Sequence, residues 1–503
     1  MDLLGMITSE VRPPSTREVY FRVYKPDAVC RDKLVEIRPP ANNNNRIYLA
    51  KVIDIFHETQ ITKDPHSVAQ IQRLGRGPEE YLRGSLSKPE FSRHIARAQL
   101  VCVLVNGSVR SVDRPPFDGS FVVEADSHIL QIGLGFPKDG FYIGRCYGNE
   151  TERVSLPHEK ICGAHASIFG QTWTGKSYLA GVLIEEALQK NIPVVVVDHF
   201  GEYLSMKEPN ESERDKLLEY GLQPRGFRVL EIIPGVTIRL NPYDLLKQPE
   251  VIDFLRLEPA QYNLLADTLD EVKRNGVSPD LALESVLGDP AKGIPGYLKP
   301  TARRLGYFDR TVDALEWRLR WLKRLGILGT GYDIASYVQK GQLTVVNLSR
   351  YVEEESVAGL YVSNVLYSLI EARRRKRLPP TVVVIEEAHN YVSYDDTPSS
   401  QRIRAYIRGG RHVGIGVWLI SQRPSGIHGD AINVCNTHFF LRLKGADLEH
   451  VRRYASLTDE EIDDIKDLPE GVGFVTGAAL KQGVKVRIRP RMSKHGGESA
   501  RFT

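Results

Sequence analysis

The sequence predicts an α/β fold, with a sheet core interrupted by a helical insertion and preceded by a small β-barrel or sandwich. Three observations predict it. The apolar run Ala166–Phe169, the helical stretch YLAGVLIEEALQ and the valine run Pro193–Asp198 follow one another as strand, helix, strand. Short β-branched and aromatic runs separated by turn residues fill the first 140 or so residues. Between residues 245 and 335, leucines recur at helical spacing.

At 503 residues the chain exceeds one ordinary core, so about two to four folding units are expected. It is 42% hydrophobic and 26% charged, a globular composition. No apolar run approaches the ~20 residues of a membrane span, and no signal pattern opens the chain. Cys30, Cys102, Cys146, Cys162 and Cys435 are scattered without a C-x-x-C pair. That argues against a zinc site or a disulfide framework and fits a reducing cytoplasm. A net charge of +4 neither requires nor excludes nucleic acid, since a basic pore can sit inside a nearly neutral whole.

The β-rich segments are MDLLGMITSEV, REVYFRVY, RIYLAKVIDIFHE, RAQLVCVLVNG and FVVEA, with the asparagine run 42–45 among the turns. Residues 78–94 have helical and turn character. His57 and His94 read as isolated, ordinary histidines, and the domain is assigned to assembly or partner contact. From Phe141, strand-like stretches lead to GQTWTGKS, Gly170–Ser177, which has the phosphate-loop form G-x-x-x-x-G-K-[ST]. Gly170 and Gly175 allow backbone angles that turn the intervening amides inward on a phosphate. Lys176 is a point charge for the β/γ-phosphates, and the Ser177 hydroxyl suits Mg²⁺. Gln171, Thr172, Trp173 and Thr174 form the loop between the glycines, and Tyr178 opens a helix whose positive end faces the same phosphates. Gly170–Tyr178 is thus the predicted nucleotide-binding segment. A chance match in a glycine-rich turn is the plain alternative, and the strand, loop, helix, strand context argues against it.

DHFGEY follows the next strand. Asp198, at the carboxyl end of a strand expected beside the phosphate-loop strand, suits a water or the metal's outer shell; a solvated strand-end acid is the plain reading. The stretches 248–275 and 310–328 read as amphipathic helices, with Val312, Leu315, Leu319, Leu322 and Leu325 as core. The sheet resumes at 342–349, and a helix then ends in the basic cluster Arg373–Arg377, read as favourable helix-dipole chemistry. TVVVIEEAH, 381–389, is an apolar strand ending in paired acids. Glu386 is expected to hold Mg²⁺ and Glu387 to orient and deprotonate the attacking water. IRGGRHVG places Arg408 and Arg411 on an expected helix-to-strand turn, from which an arginine can serve a neighbouring subunit's phosphate. The strand 413–424 ends in Ser421 and Gln422, the latter suited to sensing a γ-phosphate.

The order GQTWTGKS, VVVVDHFGEY, TVVVIEEAH, IRGGRHVGIG, WLISQRP resembles the HerA family of hexameric DNA translocases in the HerA/FtsK group, and RPPFDGSFVVEAD resembles that family's N-terminal barrel. The resemblance covers nearly the whole chain. It implies a RecA-like P-loop ATPase core in two parts, 141–244 and 336–486, around a helical insertion at 245–335. A β-barrel at 1–140 and a short, basic, glycine-bearing tail at 487–503 complete it. It also implies ATP and Mg²⁺ as cofactors, Lys176 and Ser177 binding them, Glu387 as catalytic base and Gln422 as sensor. Arg411 best matches the trans-acting arginine, with Arg408 the runner-up. A homohexamer around duplex DNA, feeding a NurA-type nuclease docked on the barrel, is the implied assembly, with DNA end processing its implied role. Two alternatives stand beside it: a ring scaffolding an anti-phage effector, either a nuclease or an NAD-consuming enzyme, and an oligomeric scaffold locked by nucleotide. Trp173 departs from the small residues usual in such loops.

Overall fold

In the computed structural model, which describes residues 2–40, 46–59, 92–247, 255–331, 333–395 and 397–496, the N-terminal β-branched runs pair antiparallel. Strands β1 (Leu3–Ile7), β2 (Glu18–Val23), β3 (Leu34–Arg38), β4 (Arg46–Thr59), β5 (Ser92–Val105), β6 (Ser108–Arg110) and β7 (Phe121–Glu124) form one sheet. The order β2-β1-β7-β3-β4-β5 closes on itself because β2 also pairs with β5, and β6 is added beside β5. Closure leaves the six barrel strands without a free edge. Val19, Phe21, Val35, Ile37, Ala50, Val52, Ala96 and Ala98 fill the interior. The segment LVEIR, β3, was not among the sequence-predicted strands. Val35 and Ile37 alternate with Glu36 and Arg38 in sequence, but Leu34 to Ile37, Glu36 included, are all buried.

Residues 92–94, expected to lie in a helical or turn segment, open β5 instead; the rest of 78–94 and the asparagine run lie outside the described residues. His57 and His94 are not isolated: they face each other across β4 and β5, with ring centroids 4.5 Å apart. Residues 1–157 and 475–487 form one contact unit, which includes helix α1 (Ser127–Leu134) and the hairpin β8 (Phe141–Cys146)–β9 (Asn149–Leu156).

Residues 158–474 and 488–503 form the second unit. Its sheet contains β10 (Ala166–Phe169), β11 (Val194–Asp198), β12 (Arg228–Ile232), β13 (Gln342–Asn347), β14 (Thr381–Ile385), β15 (Ile415–Ser421) and β16 (Thr437–Phe440). The order is β12-β13-β11-β14-β15-β10-β16, and every pairing is parallel. β11 is therefore not beside the phosphate-loop strand, as expected from sequence; β14 and β15 lie between them. Parallel strands covered on both faces read as continuous apolar runs, which is why β10, β11 and β14 are legible.

Helix α2 (Lys176–Gln189) follows the phosphate loop. Helices α3 (Pro259–Arg274), α4 (Pro279–Leu287), α5 (Leu298–Leu305) and α6 (Asp309–Leu325) occupy the stretch between β12 and β13. They pack through Leu264, Leu269, Leu283, Val312, Leu315, Leu319 and Leu322, all buried; Leu325 is only half-buried. The first turns expected from 248 to 254 lie outside the described residues. Helix α7 (Glu355–Arg374) precedes β14, and α8 (Pro398–Val413) precedes β15. The basic cluster at the end of α7 is engaged locally: Arg373 donates to the Val413 carbonyl at 2.7 Å, and Arg374 and Arg377 pair with Glu371 and Asp333. No helix of the described residues is long and apolar enough to cross a membrane.

The tail folds back on α2 of its own unit. Buried Arg489 pairs with Glu185 at 2.8 Å and Glu186 at 2.9 Å, and the amides of Met492 and Ser493 donate to the Glu185 carboxylate. Gly181 allows this approach, since a Cβ there would stand 2.5 Å from the Arg491 guanidinium carbon.

Candidate functional site

The phosphate loop leaves β10 at Gly170, where a Cβ would meet Leu441 Cβ and Thr174 Oγ1, each at 2.7 Å. Gly175 has φ of 95° and starts α2, a conformation that side chains with a Cβ resist. Lys176 Nζ donates to the Gln171 carbonyl at 3.0 Å, and Thr174 Oγ1 donates to the same oxygen at 2.7 Å. Burial pushes the Lys176 ammonium down, while Glu387, Glu386 and Glu202 favour its charge. Trp173 sits at φ 66° with 77% of its surface exposed. Tyr178 turns from the loop: its hydroxyl donates to Glu213 at 2.7 Å and accepts from the Arg491 amide at 2.8 Å.

β14 delivers the paired acids. Glu386 Oε1 accepts from Ser177 Oγ at 3.0 Å and from the Tyr203 hydroxyl at 3.2 Å. Burial, with Asp198 and Glu202 nearby, pushes the Glu386 carboxyl well above the usual range. Glu387 has φ 46° and ψ 46°, left-handed backbone that costs a non-glycine residue about 1 kcal/mol or more. Burial raises its pKa, opposed by Lys176 and by a hydrogen bond from the Gln422 amide. One oxygen of each acid, Glu386 Oε2 and Glu387 Oε2, is buried without a hydrogen-bond partner among the described residues. Such orphaned oxygens fit groups that arrive with a substrate: a hard cation beside Ser177 and Glu386, and a water beside Glu387.

β15, between β14 and β10 in the sheet, ends at Ser421 and presents Gln422, whose Oε1 accepts from Thr172 Oγ1 at 2.6 Å. The structure thus brings Lys176, Ser177, Glu386, Glu387 and Gln422 to one edge of the sheet.

Asp198 stands at the same edge, but both its oxygens are occupied. Oδ1 accepts from the amides of Phe200 at 3.2 Å and Gly201 at 2.7 Å, and Oδ2 from Tyr203 at 2.9 Å. It shapes the loop that carries Glu202. The sequence reading did not single out Glu202, whose carboxyl is raised by burial and by Asp198, with Ser177, Arg491 and Lys176 opposing. Its signal was the second acid of DHFGEY.

Arg408 and Arg411 lie not on a turn but in the last turns of α8, which continues through Gly409 and Gly410 to a C-cap at Gly414. The arginines, both exposed, are not brought to the phosphate loop of their own chain: Arg408 pairs with Asp430 at 3.6 Å, and the Arg411 side chain makes no hydrogen bond or ion pair among the described residues.

The family described as "Helicase HerA, central domain" matches residues 141–369. The DNA double-strand break repair helicase HerA of Pyrococcus furiosus is 24% identical over 76% of this chain and 75% of its own length. The protein of the same description from Saccharolobus solfataricus is 25% identical over 78% and 77%. A probable helicase of Methanocaldococcus jannaschii is 22% identical over 91% and 90%. Among solved structures, the bacterial conjugative coupling protein TrwB is similar with a TM-score of 0.49 at 14% identity, over 75% of this chain and 94% of that one.

Proposed function

We propose that this chain, which is a HerA-type protein, hydrolyses ATP and uses the cycle to move DNA through a ring of its own copies. The observation that carries the reading is the convergence of Lys176, Ser177, Glu386, Glu387 and Gln422, with two buried carboxylate oxygens left unpaired. Lys176 and the loop amides hold the β- and γ-phosphates. Ser177 and Glu386 would hold Mg²⁺, which would supply charge neutralisation on the phosphate oxygens. Glu387 orients and deprotonates the attacking water; its raised carboxyl pKa brings it nearer the operating pH, as a general base requires. Gln422, hydrogen-bonded to the phosphate loop through Thr172, reads the γ-phosphate.

Arg408 and Arg411 are not among the side chains gathered at that edge of the sheet in their own chain, and we assign the arginine to a neighbouring copy. Arg411 on α8 is the first candidate and Arg408, tied to Asp430, the second. A homohexamer with DNA through its centre follows, with the barrel as the docking surface for a NurA-type nuclease in DNA end processing. DNA contact by such a ring is with the backbone and largely blind to sequence.

The test is the ATPase rate with and without linear duplex DNA, together with the mass of the assembly. A six-fold mass with DNA-stimulated turnover is expected. A ring with slow turnover indifferent to DNA would overturn translocation and leave a scaffold for an effector. In mixed rings, Arg411→Ala combined with Lys176→Ala should recover turnover that neither has alone; no recovery would place the arginine in cis.

A further inference from the structure

One side chain at the acid corner has no part in the chemistry above. His389 follows Glu387 by two residues in the short 3-10 turn Ala388–Asn390, which is closed by the Asn390 amide on the Glu387 carbonyl at 2.9 Å. That turn carries the imidazole back toward β15. Its Nδ1 lies 3.3 Å from Glu387 Oε2, the buried oxygen without a hydrogen bond, and 3.0 Å from Ser421 Oγ. Ser421 Oγ is itself fixed, because it accepts from the Arg423 amide at 2.9 Å. Between those two anchors stands Gln422, bonded to Thr172 of the phosphate loop. A Cβ at Gly426 would lie 3.2 Å from His389 Cβ, so the neighbouring turn packs closely against the stem of this side chain. Burial, with Arg423 and His199 nearby, holds the imidazole near pKa 4, so the ring is neutral at physiological pH and carries one N–H.

We propose that His389 is a positioning residue for hydrolysis: its Nδ1 is hydrogen-bonded to Ser421 Oγ and stands 3.3 Å from Glu387 Oε2, which holds the base beside the end of the Gln422 strand. The base and the γ-phosphate-reading glutamine then move as one piece. This rests on the reading of Glu387 as base and of Gln422 as phosphate contact. The left-handed backbone at Glu387 makes such a tie necessary, because a strained corner keeps its geometry only when its surroundings hold it there. A carboxylate displaced by about 1 Å from its water costs on the order of 100-fold in rate.

The two ring nitrogens allow a discriminating test. The amide nitrogen of asparagine falls near Nδ1 of histidine, and that of glutamine falls near Nε2. His389→Ala, His389→Asn, His389→Gln and Ser421→Ala are compared for kcat, KM, ATP binding and thermal unfolding in the full chain with saturating duplex DNA. His389→Ala should lower kcat by about 10- to 100-fold, with KM and ATP binding within about threefold of wild type. His389→Asn should recover to within a few-fold, while His389→Gln should not. Ser421→Ala should lose less, and its loss should not add to that of His389→Ala. Unchanged kcat in His389→Ala, or equal rates in the asparagine and glutamine variants, would overturn the proposal. If His389→Ala does not fold, the comparison of asparagine with glutamine still decides. Wild-type protein without ATP turnover, or full turnover in Glu387→Gln, would instead sink the ATPase reading on which the proposal stands.

Discussion

Two corners of the parallel sheet end in acids after nearly identical valine runs, VVVVD and TVVVIEE. At the first, Asp198 is fully buried and spends both oxygens on three amides of its own loop. At the second, Glu387 is 9% exposed, sits in left-handed backbone and keeps one oxygen without a hydrogen bond. A buried carboxylate saturated by its own backbone is a structural cap, since a new partner would have to displace bonds already made. A buried carboxylate left unsaturated, on a strained corner beside a lysine, retains capacity for a group that arrives later. Strand-end acids in one sheet thus differ in what their oxygens meet, through the loop that follows them.

The comparison is most sharply tested by paired substitutions. Glu387→Gln should lower kcat by about 10²- to 10⁴-fold while ATP still binds and the unfolding midpoint holds. Asp198→Asn, read in the same assays, should keep far more turnover. If it abolished hydrolysis as fully as Glu387→Gln without loss of stability, the distinction between cap and base would collapse. Asp198→Ala should cost about 2–4 kcal/mol in urea unfolding, because three buried amides lose a charged acceptor. A loss under about 1 kcal/mol would mean that the loop finds its own partners.

Smaller effects probe the rims of the two corners. Glu202→Gln removes one negative charge from the group around Ser177 and Glu386. The Mg²⁺ concentration for half-maximal turnover should rise about 3- to 10-fold, with kcat at saturating Mg²⁺ little changed. An unchanged Mg²⁺ requirement would detach Glu202 from the metal side of the site. Trp173→Gly should raise stability by at most about 1 kcal/mol, since glycine takes the left-handed backbone without the Cβ clash but loses more entropy on folding. A fall in the unfolding midpoint would show that the exposed indole is gripped by something.

The candidate site was legible where chemistry is local. GQTWTGKS names its own phosphate loop because its glycines, lysine and serine act within one turn of backbone. EEAH was legible because an apolar run that stops at two adjacent acids marks the carboxyl end of a buried strand. The role of Asp198 was not, because a strand-end acid looks the same in sequence whether its oxygens meet amides or water. Glu202 was passed over because its placement depends on the loop that Asp198 caps. Arg408 and Arg411 were expected on a helix-to-strand turn; α8 continues through them and through Gly409 and Gly410, with Gly410 against β15 and Gly414 as the cap.

By itself, the sequence determined an α/β core with an inserted helical block, a β-rich N-terminal domain, the phosphate loop and the paired acids. Each of these is written in residues that are neighbours along the chain or that repeat at a fixed period. Tertiary structure alone decided that β2 meets β5 to close the barrel, and that β14 and β15 stand between β11 and the phosphate-loop strand. It also decided that the tail lies on α2, and that Glu387 rather than Asp198 keeps a free oxygen. These outcomes depend on pairings between residues tens to hundreds of positions apart. Such pairings are settled by which buried polar groups find partners once the sheet has formed, and no local pattern in the chain encodes them.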